Sequence, residues 1–106
     1  MSRQYEGYLD CVRLYLGPEE LAACAVWVRN CIELHERSKS AQEKQERHWH
    51  KMDAYDDIIP PEKAAVYCTT EERLDGEEFE ARTALYDAQQ RYYMFVRDLK
   101  LKHLSV

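Results

Sequence analysis

Glycine and proline are scarce in this chain, three of each in 106 residues. That excludes turn-rich β-sandwiches and flexible low-complexity linkers, and leaves an all-α protein as the natural class. No C-x-x-C pair occurs among the four cysteines, Cys11, Cys24, Cys31 and Cys68, which removes the common zinc and thioredoxin-like patterns. Cys24 and Cys31 stand seven apart in apolar sequence, as small buried thiols do, and Cys68 near a predicted break is the one candidate redox thiol. No run approaches the roughly 20 apolar residues that cross a bilayer, and MSRQYEGYLD contains no secretory h-region, so a cytosolic protein is expected. A Gly-rich phosphate loop, an H-E-x-x-H motif and a nucleophile elbow are all missing. The carboxylates lie in charged sequence that offers nothing to tune one for acid–base work, so neither catalysis nor a cofactor is expected.

What is present is a division of the chain. Both ends are apolar and aromatic, whereas residues 36–80 are charged and thinly hydrophobic. A core forms only where apolar segments meet, so the ends must pack together and the middle must project into solvent. At 106 residues the chain is one domain with little apolar surface to spare.

Gly17-Pro18-Glu19-Glu20 is the clearest punctuation. Glycine suits a helix end, proline the next helix's first turn, and the acids its positive N-terminus. A first helix is expected over residues 2–16, with Tyr5, Tyr8 or Leu9, Val12, and Tyr15 with Leu16 on its apolar face. After Pro18, Leu21, Ala25, Val28, Ile32 and His35 recur in steps of four and three. The pattern predicts either one helix that reaches Asp57, a rod of about 60 Å, or two collinear helices interrupted at Ser38 and Ser40.

Ile58-Ile59-Pro60-Pro61 must end that rod, because a residue before proline is pushed out of the α region and an interior proline costs about 3 kcal/mol. A short helix over 61–67 is expected next. Thr69 with Glu72 then supplies a capping-box signature for a last helix running to about residue 103. Its stripe is Leu74, Glu78, Ala81, Leu85, Ala88, Tyr92, Phe95 and Leu99, an antiparallel hairpin seam. The expected architecture is an elongated antiparallel helical hairpin whose short N-terminal helix completes a three-helix bundle at one end. Residues 1–35 with 82–106 make the head, and residues 36–81 the charged arm.

Charge divides along the same line. Asp53, Asp56, Asp57, Glu62, Glu71, Glu72, Asp75, Glu77, Glu78 and Glu80 face only Lys63 and Arg73 within residues 53–80, a net of −8 in a protein of net −5. Residues 91–106 carry +3. Such a field steers the arm toward a basic protein surface and repels nucleic acid. Arg37, Lys44 and Lys51 fall roughly opposite Glu78 and Glu71, so part of the charge is expected to face its opposite across a solvated hairpin.

Eight tyrosines are many for this length. Phe79, Tyr86 and Tyr93 make a second stripe on the last helix, and Met94 and Leu101 lie on another face, more than one neighbouring helix can cover. Tyr86, Tyr93 and Met94 are therefore interface candidates for a partner or a second copy. Glu46, His50, Asp53 and Asp57 follow helical spacing, but no matching ligands stand on the last helix and His48 and His50 point to different faces, so no metal is expected. Arg37, Lys39, Lys44, Arg47 and Lys51 with Trp49 form a basic stripe that Glu43 and Glu46 interrupt, a weak nucleic-acid surface at best. In its small size, acidity, helical format and surplus aromatics the chain resembles the stoichiometric inhibitors that phages make against host defence, anti-CRISPR proteins among them. That resemblance implies a protein partner with a basic or nucleic-acid-binding surface, met in the host cytoplasm. A structural or assembly homodimer is the alternative.

Overall fold

A computed structural model describes residues 3–55 and 59–104. Three α-helices account for most of it: α1 (Arg3–Leu9), α2 (Pro18–Asp53) and α3 (Pro61–Leu104), with a short 3-10 turn at Arg13–Tyr15. The molecule is an elongated all-α hairpin of α2 and α3, measuring 68 × 20 × 18 Å, with α1 laid against its base. No strand occurs among the described residues.

The first helix is shorter than its sequence pattern suggests. α1 ends at Leu9 and the chain continues through a turn and the 3-10 segment. Tyr5, Leu9, Val12 and Leu16 are all buried nonetheless, while Tyr15 is exposed. The tighter turn changes which residues share a face after Leu9, and it carries Tyr15 away from the core.

Gly17 and Pro18 start α2 as their chemistry dictates. The Glu20 carboxylate accepts the Gly17 backbone N–H at 3.1 Å, half of a capping box. The same carboxylate receives Lys102 Nζ at 3.2 Å and lies 3.0 Å from His103 Nε2, clamping the start of α2 to the end of α3. The His103 contact, the Gly17 amide and Lys102 hold the Glu20 carboxyl down at about 2.

α2 is one helix, uninterrupted at Ser38 and Ser40, and it stops at Asp53 rather than Asp57. Asp56, Asp57 and Ile58 lie outside the described residues. Its seam against α3 is Cys24, Val28 and Cys31 in the head, then Ser38, Ala41 and His48 in the arm. Of the expected stripe only Val28 is buried: Leu21, Ala25 and His35 are exposed and Ile32 is half-buried. The two stripes are neighbours on one cylinder that share Val28, and the helix turns its thiol side toward α3. Cys24 and Cys31 are buried free thiols, and that burial raises both above the usual cysteine range.

α3 is also continuous. Pro61 begins it, and the Lys63 and Ala64 amides donate to the carbonyl of Pro60 just before it. Thr69 does not cap a separate helix: its hydroxyl donates to the Ala65 carbonyl one turn back, at 2.9 Å. Leu74, Ala81, Ala88, Tyr92 and Leu99 lie buried in the seam as expected, Leu85 and Phe95 sit at its edge, and Val96 joins it.

The hydrophobic core is confined to the head. Tyr5, Leu9, Val12, Leu16, Cys24, Val28, Cys31, Ala88, Tyr92, Val96 and Leu99 form one cluster. Tyr92 is fully buried and donates its hydroxyl to the Tyr5 carbonyl, tying α1 to α3, and burial pushes its phenol well above the usual tyrosine range. No helix of the described residues is long and apolar enough to cross a membrane.

Candidate interaction surface

The arm is a two-helix hairpin with a meagre seam. Its buried residues are Ser38, Ala41, His48, Leu74 and Ala81, mostly small or polar. Outside that seam α3 presents its acids. Glu72, Asp75 and Glu80 are exposed, while Glu71, Glu77 and Glu78 are half-buried at the groove with α2. Asp53 is exposed at the end of α2.

The expected pairing of charge across the hairpin does not form. Among the described residues the arm's ion pairs run along α3, Arg73 to Glu77 at 3.9 Å and Arg82 to Glu78 at 3.5 Å. Arg37 and Lys44 share a shallow groove with Glu77, and the hairpin's polar bridge is instead Gln45 donating to Asp75 at 2.8 Å. Residues one turn apart on a single helix meet without spanning the interhelical gap, which explains the preference. Glu72 and Glu80 are left without a cation within ion-pair distance among the described residues.

Near the tip, Tyr55 and Tyr67 share a hydroxyl–hydroxyl hydrogen bond of 3.1 Å and Lys63 Nζ donates to Tyr55 Oη at 3.1 Å. Tyr67, then Lys63, stabilise the Tyr55 phenolate and hold that phenol below the usual tyrosine range, while Tyr67 and Lys63 are raised. His48 packs on Tyr67 with ring centroids 5.9 Å apart, and its buried Nε2 has no hydrogen-bond partner among the described residues. Nothing in residue order marks this cluster, whose members come from both sides of the Pro60 turn.

On the head, the three interface candidates separate. Tyr93 is half-buried, stacked on Tyr5 and edge-on to Tyr8 at a centroid distance of 5.0 Å, so α1 covers it. Tyr86 and Met94 remain exposed, together with Phe79, Leu101 and Leu104. The step of eight residues from Tyr86 to Met94 offsets the slip of about 20° per seven residues, and all five side chains keep to one outward face. Sequence spacing had assigned Met94 and Leu101 elsewhere, because it followed a strict seven-residue step to Tyr93.

A second apolar feature lies between α1 and α2, an open groove of about 360 Å³ lined by Leu9, Leu21, Ala25, Val28 and Ile32, with Glu6, Arg13, Arg29 and Glu33 at its rim. Leu21, Ala25, Val28 and Ile32, the apolar stripe that spacing picks out on α2, supply most of this wall. Glu46, His50 and Asp53 are exposed on α2, and among the described residues no group of three or more His, Cys, Asp or Glu stands together as a metal site. Arg37, Lys39, Lys44, Arg47, Trp49 and Lys51 are all exposed on the other strand of the arm.

Compared with known proteins, the chain matches no family model, no curated protein and no solved structure.

Proposed function

We propose that the protein is a non-catalytic binding module that presents an acidic arm to a basic protein surface. The supporting observation is the surplus of acid on α3 of the arm, where Glu72 and Glu80 are exposed without a cation partner among the described residues. Fields of one sign steer association and select partners of the other, an effect that salt screens. Such an arm fits a stoichiometric inhibitor that occupies a basic groove made for phosphates, the format of phage anti-defence proteins. The test is a pull-down from lysate with wild type and a variant reversed at Glu71, Glu72, Asp75 and Glu80. A basic protein retained by wild type and lost by the variant supports the proposal; identical recovery by both overturns it.

A second reading, a homodimeric structural protein, is favoured by the outward apolar face of Phe79, Tyr86, Met94, Leu101 and Leu104. A contiguous face of this kind on a small protein marks a contact surface.

A further inference from the structure

The outward face of α3 has the pattern of a helix seam with no helix on it. Phe79, Tyr86, Met94, Leu101 and Leu104 are 40% to 63% exposed, and at 3.6 residues per turn they fall within an arc of about 80°, roughly opposite the buried seam. Thr83, Gln90 and Arg97 fill the intervening positions, so large and polar residues alternate in steps of three and four from Phe79 to Leu101, and Leu104 follows three residues on. Helix α1 and helix α2 both pack elsewhere on α3, and neither covers this face.

Charge along the same helix selects the occupant. Residues 71–80 hold six acids and one base, and residues 91–102 hold Arg91, Arg97, Lys100 and Lys102 against Asp98. A surface that is acidic at one end and basic at the other complements itself when a second copy is turned through a two-fold axis. Gly76 adds an independent sign. It sits mid-helix, where glycine costs about 1 kcal/mol relative to alanine, and a Cβ there would meet nothing within 4 Å among the described residues of the monomer. Its smallness has no use inside the chain.

We infer that two copies of this chain pair antiparallel through the outward faces of α3, about a two-fold axis beside Tyr86. The inference rests on the arm being an acidic docking surface and names the basic surface it meets as residues 91–102 of a second copy. In this register Phe79 lies opposite Met94 of the second copy and the two Tyr86 rings adjoin at the axis. Arg97 of the second copy passes over Gly76 toward Glu72 and Asp75, and Arg91 of the second copy approaches Glu80. Lys100 is held over the Tyr8 ring at 3.7 Å and Lys102 on Glu20 of another helix. Arg91 and Arg97 pair only with exposed neighbours on α3 itself, Asp87 at 2.9 Å and Asp98 at 3.5 Å, contacts weak enough to be exchanged for the second copy's acids. The overlap of residues 72–101 is about 45 Å long and covers about 500 Å² per copy, short of the roughly 800 Å² of a standard interface. A contact of this size makes a weak dimer whose population rises with concentration.

The test is sedimentation equilibrium of the full chain up to about 100 µM at low salt, where mass action favours a weak dimer. Wild type is expected at twice the monomer mass. Tyr86→Arg, an exposed position whose change leaves the circular dichroism spectrum and melt of dilute protein unaltered, sets two like charges together at the axis and returns the monomer. Arg91→Glu with Arg97→Glu is expected to weaken the dimer at least about tenfold, about 1.4 kcal/mol. Adding Glu72→Arg and Glu80→Arg to that variant restores both the wild-type net charge and the dimer. Monomeric wild type, a dimer that survives Tyr86→Arg, or a quadruple variant that stays monomeric each overturns the inference. Monomeric wild type whose arm reversal still abolishes capture of a foreign basic protein removes self-pairing alone and leaves the acidic-arm proposal standing.

Discussion

Replacing His48 by leucine should stabilise the arm. His48 is 6% exposed in the α2–α3 seam, and its Nε2 has no hydrogen-bond partner among the described residues. A buried polar group left unpaired costs about 1–3 kcal/mol, which leucine does not incur. Against that gain stands the lost contact with the Tyr67 ring, where aromatic pairs contribute about 0.5–1.5 kcal/mol. The balance is about 1 kcal/mol of added stability, or a rise in Tm of roughly 4–8 °C for a domain of this size. Thermal melts by circular dichroism, run on protein dilute enough to exclude association, read the change. His48→Ala serves as control: it removes the same polar group but empties the seam, and should melt below the leucine variant. A leucine variant that melts several degrees below wild type would refute the reasoning, since it would mean that the imidazole makes an interaction worth more than its burial costs.

Other perturbations probe the remaining joints. Glu20→Gln should melt lower than wild type at neutral pH. Because the folded carboxyl is held near 2 against an ordinary 4.5, its stabilisation is present above 4.5 and lost as pH falls toward 2. The gap between the two melts should therefore close over that window, as a pH series of melts would read. Thr69→Ala should leave stability within about 0.5 kcal/mol of wild type or raise it, because the hydroxyl bonds a carbonyl within one helix; loss of about 1 kcal/mol in a urea titration would instead reveal a cap. Gly76→Ala should stabilise the dilute monomer by about 1 kcal/mol, read in the same titration, since the added methyl meets open space.

Much of the fold could be read from residue order, and the reasons are local. Pro18 and the Pro60-Pro61 pair can occupy only the starts of helices, and that fixed the hairpin. The α3 seam was legible because Leu74, Ala81, Ala88, Tyr92 and Leu99 are apolar in a charged helix. The α2 seam was not, because the head half of that helix is apolar on two adjacent sides and the arm half buries Ser38, Ala41 and His48, which carry no hydrophobic signal. Thr69 and Glu72 have the letters of a capping box without its backbone, since helix already precedes them. At the candidate surface, Glu72, Asp75, Glu80, Tyr86 and Met94 are exposed as their sequence suggests, whereas Glu71, Glu77 and Glu78 turn half into the groove and Tyr93 lies under α1, whose resting place nothing in the sequence shows. The Tyr55–Tyr67–Lys63 group escaped notice because its parts meet only after the chain turns at Pro60.

The most direct measurement is the dimer mass of the wild-type chain as salt is raised. Pairing of an acidic segment with a basic one predicts twice the monomer mass at low ionic strength and a shift toward monomer as the Debye length shrinks from about 30 Å at 0.01 M to about 3 Å at 1 M. A monomer at every salt concentration, or a dimer indifferent to salt, would contradict it.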